Sequence, residues 1–291
     1  MNAGRRIYPH PDSSAGVWHC YSRIIDRTYL LDIPAKDFFL TTLRAYEDLL
    51  GVEVLTFCLM DNHFHLLVRV PHRPEGLDVP LEVILARMER AVGEHAMNLI
   101  RRDLAFWEST GNLDAIEAWR QRQMKRMFSL SEFIGCVKQR FTRWHNAKTG
   151  RRGTIWEERF GSVVVEEEER ALRTMAAYID LNPVRAGMGM VEDPADYRWS
   201  GYAEAMAGKA RSRRGLVRII GQMAWPRATA RRRRLRTNPL AATNPRDRVS
   251  GIGTTLIAVF GSSSKAQPTS IGFPANSLTP PTSLVQSTNW K

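Results

Sequence analysis

The 291-residue chain is poor in cysteine, in long apolar runs and, across several stretches, in acid. Its three cysteines, Cys20, Cys58 and Cys136, are odd in number and far apart, which fits neither a disulfide framework nor a CxxC zinc site. They are expected to be small buried apolar side chains in a reducing compartment. No apolar run approaches the roughly 18 residues that span a bilayer, so no membrane partner is expected. Arg5 and Arg6 are followed by IYPHPDSS, polar and proline-broken, with no secretory h-region, and the expected location is cytoplasmic. A GxxxxGK[ST] phosphate loop is also missing, which leaves no fused nucleotide-driven motor.

The shortage of acid is local. The net charge is +12, yet Lys209 to Arg248 alone holds 13 basic residues and one acid, Asp247, leaving 29 basic and 29 acidic residues elsewhere. A cassette of that sign points to a polyanionic partner. From Ser250 onward Ser, Thr, Pro and Gly supply 22 of 42 residues with no acid, a composition expected to be disordered.

What is present reads as alternating strands and helices. Val17 to Ile25 has strand composition; Phe39, Leu43, Tyr46 and Leu50 recur at helical spacing between Pro34 and a stop at Gly51. Val52 to Leu59 and His63 to Val70, joined at Met60-Asp61-Asn62, form a predicted hairpin. Pro80 to Met127 predicts two helices split at Ser109 to Asn112, and Ser129 with Glu132 has the form of a capping box. Thr154 to Val165 reads as extended and bent at Gly161, and a helix starting in the acidic run Glu166 to Glu169 should end near Asn182, ahead of Pro183. That order predicts an α+β class, an antiparallel sheet with helices on one or both faces.

Three patterns could carry chemistry. His63 and His65 share one face of a strand while Phe64 and Leu66 take the other, as two convergent metal ligands would; two core histidines are an equal reading. Tyr178 and Asn182 lie one helical turn apart, placing a phenol beside an amide; a core tyrosine and a helix cap are the blander alternative. Lys138, Arg140, Arg143, Lys148, Arg151 and Arg152 stand among Phe141, Trp144 and His145 in a stretch without acid, a pattern suited to phosphates and unpaired bases. A solvated helix face is the competing account.

Read together, His19-x-x-Ser22-Arg23, LMDNHFHLLV, RRGTIWEERF and YIDLNPVRAGM, with a closing EDPADYRWSGY, resemble the single-tyrosine HUH transposases, in particular the REP-associated tyrosine transposases and their insertion-sequence relatives, over about residues 16–205. The resemblance implies a ferredoxin-like α+β domain of the HUH endonuclease type, with flanking helices. It implies Tyr178 as nucleophile, and His63, His65 and Asn182 as ligands of Mg²⁺ or Mn²⁺. The partner would be single-stranded, hairpin or palindromic DNA, nicked and rejoined through a 5′-phosphotyrosine, by a nucleoid-associated monomer or homodimer. Two departures stand out: a longer helical insert at about 72–128, and the chain beyond 208.

The expected organisation is a flexible arm (1–15), a transposase domain (16–208), a basic arm (209–248) that includes Arg231, Arg232, Arg233 and Arg234 as DNA contacts, and a disordered tail (249–291). Truncation after Gly208 should then spare the chemistry. A non-catalytic hairpin-binding protein, and a replication initiator or relaxase of the same chemistry, are the alternatives.

Overall fold

A computed structural model describes residues 15–186, 191–221 and 286–288. The arm at 1–14, residues 222–248 with Arg231 to Arg234, and most of 249–291 lie outside the described residues. β1 (Ala15–Arg23) leads to α1 (Ile33–Leu50), then the hairpin β2 (Glu53–Leu59) and β3 (His63–Pro71). Four helices follow: α2 (Leu81–Ala91), α3 (Glu94–Ser109), α4 (Leu113–Arg126) and α5 (Leu130–Thr149). β4 (Gly161–Val165), α6 (Glu169–Asp180), α7 (Asn182–Arg185), α8 (Gly201–Met206) and α9 (Ala210–Ile220) complete the folded part.

The sheet is antiparallel, in the order β2-β3-β1-β4, with Gln286–Thr288 paired to β4 as β5. Those three residues depart from the unstructured tail expected there, and they cover an edge that β4 would otherwise leave unpaired. β1 and β3 are central. Helices cover both faces.

Local rules explain the elements. Asp32 caps α1 by accepting from the Ala35 N–H at 2.8 Å, and Gly51 ends it at φ 67°. Ser129 Oγ accepts from the Glu132 N–H, but the Glu132 carboxylate takes Arg126 at 2.7 Å, so only half of the capping box forms. The predicted two-helix insert is three helices, because the chain breaks again at Val92-Gly93. The Arg140 guanidinium sits where a side chain at Gly93 would be.

The two sheet faces bury different things. Trp18, Cys20, Phe64, Leu66 and Val68 point toward α1, the α2–α4 insert and α5, where Phe39, Ile84, Phe133 and Phe141 complete an apolar core. On the other face Val17, Leu67 and Val165 meet α6, α8 and α9 through Leu172, Ile179, Tyr202, Leu216 and Ile219.

One expectation is corrected here. The basic segment begins as α9, a core helix, rather than as an arm. It lies on β2 where the β2–β3 register shifts at Leu55, and a Cβ on Gly215 would meet the Leu55 carbonyl at 2.2 Å. Three of its cations pair with acids of the fold: Arg211 with Asp48 at 2.7 Å, Lys209 with Glu204 at 2.8 Å and Arg218 with Glu53 at 3.2 Å. The folded unit therefore runs to about Gly221, past the predicted boundary at 208. Count of charge alone hid this, since the pairing acids lie on distant elements.

Candidate active site

The register of β1 against β3 places Arg23 opposite His63, Tyr21 opposite His65 and His19 opposite Leu67. Period-two alternation then puts His19, Tyr21, His63 and His65 on the same side of the two central strands, facing α6. Gly161 of β4 faces Tyr21 and leaves room for its ring, since a Cβ there would lie 2.2 Å from it. From α6, Tyr178 comes down edge-on to both His19 and His65, with ring centroids 5.8 and 5.7 Å away. His63 and His65 are 5.2 Å apart and nearly perpendicular. Three of the four residues expected to form the site, His63, His65 and Tyr178, are thus assembled from β3 and α6.

Burial sets the electrostatics. Desolvation lowers His63 to about 4, with Arg23 adding to the effect, lowers His19 to about 3, and takes His65 well below the ordinary imidazole value. All three rings are neutral at pH 7, as ligation or proton acceptance requires. Burial raises the Tyr178 phenol, and Tyr21 adds to this. Arg185 works the other way, its guanidinium lying 5.2 Å from the Tyr178 ring centre, where it favours the phenolate.

His65 Nδ1 lies 2.9 Å from His19 Nε2, and His63 Nδ1 lies 2.6 Å from Asn62 Oδ1. The Nε2 atoms of both His63 and His65 are enclosed and have no hydrogen-bond partner. Two bare, buried imidazole nitrogens suit a divalent cation. Among the described residues no group of three or more His, Cys, Asp and Glu gathers to hold a metal, so a third protein donor would be of another type, such as an amide. Asn182 is placed for a different task as well: its amide nitrogen donates to the Tyr178 carbonyl at 3.0 Å, the capping role.

No protein-family profile matches the chain, and no curated protein matches it. One solved structure is similar: a REP-associated tyrosine transposase bound to a REP hairpin, at 17% identity and a TM-score of 0.40, covering 72% of this chain and 87% of that one. A likeness of this size assigns neither family nor activity.

The expected DNA contacts divide. Lys138 is removed from that role. It is buried, and its Nζ donates to Ser22 Oγ and the Glu158 carbonyl, both at 2.7 Å, and to the Arg159 carbonyl. Burial, with Arg159 adding to it, lowers its pKa to about 7. Arg140 is half-buried over the Phe38 ring. Arg143, Lys148, Arg151 and Arg152 are exposed, with Lys148 5.2 Å from the Trp144 ring. α5 itself lies across the sheet from Tyr178. The chain beyond Arg152 returns to the end of β1, where Ile25 N–H donates to Ile155 O and Glu157 N–H to Arg23 O, both at 3.0 Å.

Tyr21, Asn62 and Arg185 belong to the site without having been given a role, and His19 had entered only as part of the motif His19-x-x-Ser22-Arg23. His19 and Tyr21 had a signal, alternation on a predicted strand, while Asn62 and Arg185 lay within the quoted segments LMDNHFHLLV and YIDLNPVRAGM with nothing local to mark their part.

Among the described residues no helix is long and apolar enough to cross a membrane.

Proposed function

We propose that this chain is a metal-assisted DNA strand transferase with Tyr178 as nucleophile, working on single-stranded or hairpin DNA. In this reading the order β1-α1-β2-β3-insert-β4, with strands arranged β2-β3-β1-β4, is a ferredoxin-like HUH arrangement with the helical insert before β4. The observation that carries the reading is the edge-on approach of Tyr178 to His65, beside two imidazoles whose Nε2 atoms are buried and unpartnered.

His63 and His65 would hold Mg²⁺ or Mn²⁺, with Asn182 proposed as a third donor through its Oδ1. The ion, when bound, supplies charge neutralisation to the scissile phosphate. Tyr178 Oη attacks phosphorus as the bond to the 3′ oxygen breaks. The phenol loses its proton, the departing oxygen gains one, and the 5′ end stays on the tyrosine. Arg185 stabilises the phenoxide as it forms. Attack on that linkage by another 3′ hydroxyl reverses the bond changes and joins strands, with no external energy source.

The test is incubation with single-stranded hairpin DNA and Mg²⁺, followed by denaturing electrophoresis. A covalent protein–DNA species is expected, absent in Tyr178→Phe and with chelator, while hairpin binding by that variant stays within about threefold. A normal adduct yield from Tyr178→Phe contradicts the assignment. Metal-independent hairpin binding with no cleavage would favour a non-catalytic binder, a reading that the capping role of Asn182 keeps in view.

A further inference from the structure

We propose that Asn62 and His19 are positioning residues that set the tautomers of His63 and His65, turning both Nε2 lone pairs toward the space beside Tyr178. The inference rests on the metal reading above and deepens it by assigning residues behind the two ligands.

For His63 the hydrogen bonds leave one solution. Asn62 Nδ2 lies 3.0 Å from the Arg27 carbonyl, which can only accept, so the amide is oriented with its nitrogen outward. Its Oδ1 therefore faces His63 Nδ1 at 2.6 Å, and an amide oxygen also only accepts. The proton of the neutral ring is on Nδ1, and Nε2 is bare. The support extends backward: the Asn62 carbonyl accepts from the Ile24 N–H at 2.8 Å. The Arg27 carbonyl is presented by two consecutive non-glycine residues in the left-handed region, Asp26 at φ 55° and Arg27 at φ 54°. Such backbone persists only where its surroundings hold it.

For His65 two arrangements share the 2.9 Å contact with His19. If His19 Nε2 carried the proton, His65 would present an N–H from Nε2, buried and without an acceptor. With the proton on His65 Nδ1, His19 is the acceptor and carries its own proton on Nδ1, which is equally buried and without an acceptor, so the hydrogen bonds alone balance; the His65 Nε2 lone pair then joins that of His63. A cation in that space selects the second arrangement. His19 is fully buried and stacked on His65 at a centroid distance of 5.1 Å, so it can also fix the ring plane. Partners behind a ligating histidine of this kind are worth about 10- to 100-fold in metal affinity.

The experiment has two readouts on the full chain. Long-range ¹H–¹⁵N NMR of the imidazoles should show His63 as the Nδ1–H tautomer without metal, and His65 as Nδ1–H once Mg²⁺ is added. Mn²⁺ binding followed by electron paramagnetic resonance should weaken about 10- to 100-fold in His19→Phe and in Asn62→Ala. Asn62→Asp, which keeps an acceptor for His63, should return to within about threefold of the parent protein. An Nε2–H tautomer at His63, or Mn²⁺ affinity unchanged within twofold in both His19→Phe and Asn62→Ala, overturns the proposal. If the rings read as expected but the parent protein binds no Mn²⁺, the metal reading falls and the tautomer assignment stands. Mn²⁺ binding with the opposite tautomers does the reverse.

Discussion

The two faces of one sheet are built to different rules. Toward α1–α5, the side chains of β1 and β3 are apolar and packed apart from Ser22, which accepts from Lys138, with Phe64 and Leu66 set against Phe39 and Phe141. Toward α6 the same strands, one residue out of step, present His19, Tyr21, His63 and His65. One-residue alternation thus lets a nine-residue strand serve stability on one side and, in the proposed function, chemistry on the other. The uncompensated groups concentrate accordingly: three buried histidine nitrogens lie on the α6 side. Polar atoms without partners are poor stabilisers, and their retention in one place is what a reactive site requires.

That contrast can be broken most forcefully at α9, which closes the histidine face. Cutting the chain after Gly221 should leave a folded protein, whereas cutting after Gly208 removes Leu216, Ile219 and Ile220 from the core. At about 1.5–3 kcal/mol for each buried aliphatic side chain the second cut costs roughly 5–8 kcal/mol, comparable to the whole stability of a typical domain. Thermal melts of the two truncations decide it.

A smaller separation compares substitutions on opposite faces. Phe141→Ala should lower stability by about 3–5 kcal/mol in a urea titration while leaving adduct yield per folded molecule unchanged. His65→Phe should weigh the other way, abolishing Mn²⁺ binding and adduct at a smaller stability cost of about 1–3 kcal/mol, because it removes one partnerless nitrogen, Nε2, but strands His19 Nε2.

Lys138 sharpens the same division within α5. Lys138→Met strands the acceptors at Ser22, Glu158 and Arg159, a loss of about 2–3 kcal/mol, yet the salt dependence of hairpin binding should not change, since no phosphate contact is lost. A flatter salt slope would return Lys138 to the DNA surface.

The least of these effects is a pH dependence on the histidine face. Burial raises the Asp180 carboxyl from 3.8 to about 7, against hydrogen bonds donated by Thr56 Oγ1 and the Tyr202 N–H. The folded state binds this proton more tightly than the unfolded chain. Its stabilising contribution is complete below about pH 4 and is lost as pH rises through about 7, on the order of 1–3 kcal/mol. Asp180→Asn should flatten denaturation midpoints between pH 5 and 8.

Much of this was legible in the amino-acid order. Alternation alone put His63 and His65 together, and the i, i+4 spacing placed Asn182 against the Tyr178 turn. The hairpin at Met60 to Asn62 and the stop of α1 at Gly51 followed from local preferences that tertiary structure did not override. Lys138 was misread because a lysine with three acceptors from distant segments looks, in sequence, like any other cation in a basic run. α9 was misread for the same reason, its acids lying on α1, β2 and α8. The break at Gly93 had only the glycine itself as a signal, and the Arg140 guanidinium that occupies the space beside it comes from a residue 47 positions on.

The most direct measurement of the central claim is mass-spectrometric mapping of the peptide that remains attached to a single-stranded hairpin after digestion of the Mg²⁺ reaction. The account predicts one DNA-linked peptide, joined through Tyr178 to a 5′ phosphate and lost when His63 or His65 is replaced. A link through Tyr21, or cleavage without any covalent peptide, would contradict it.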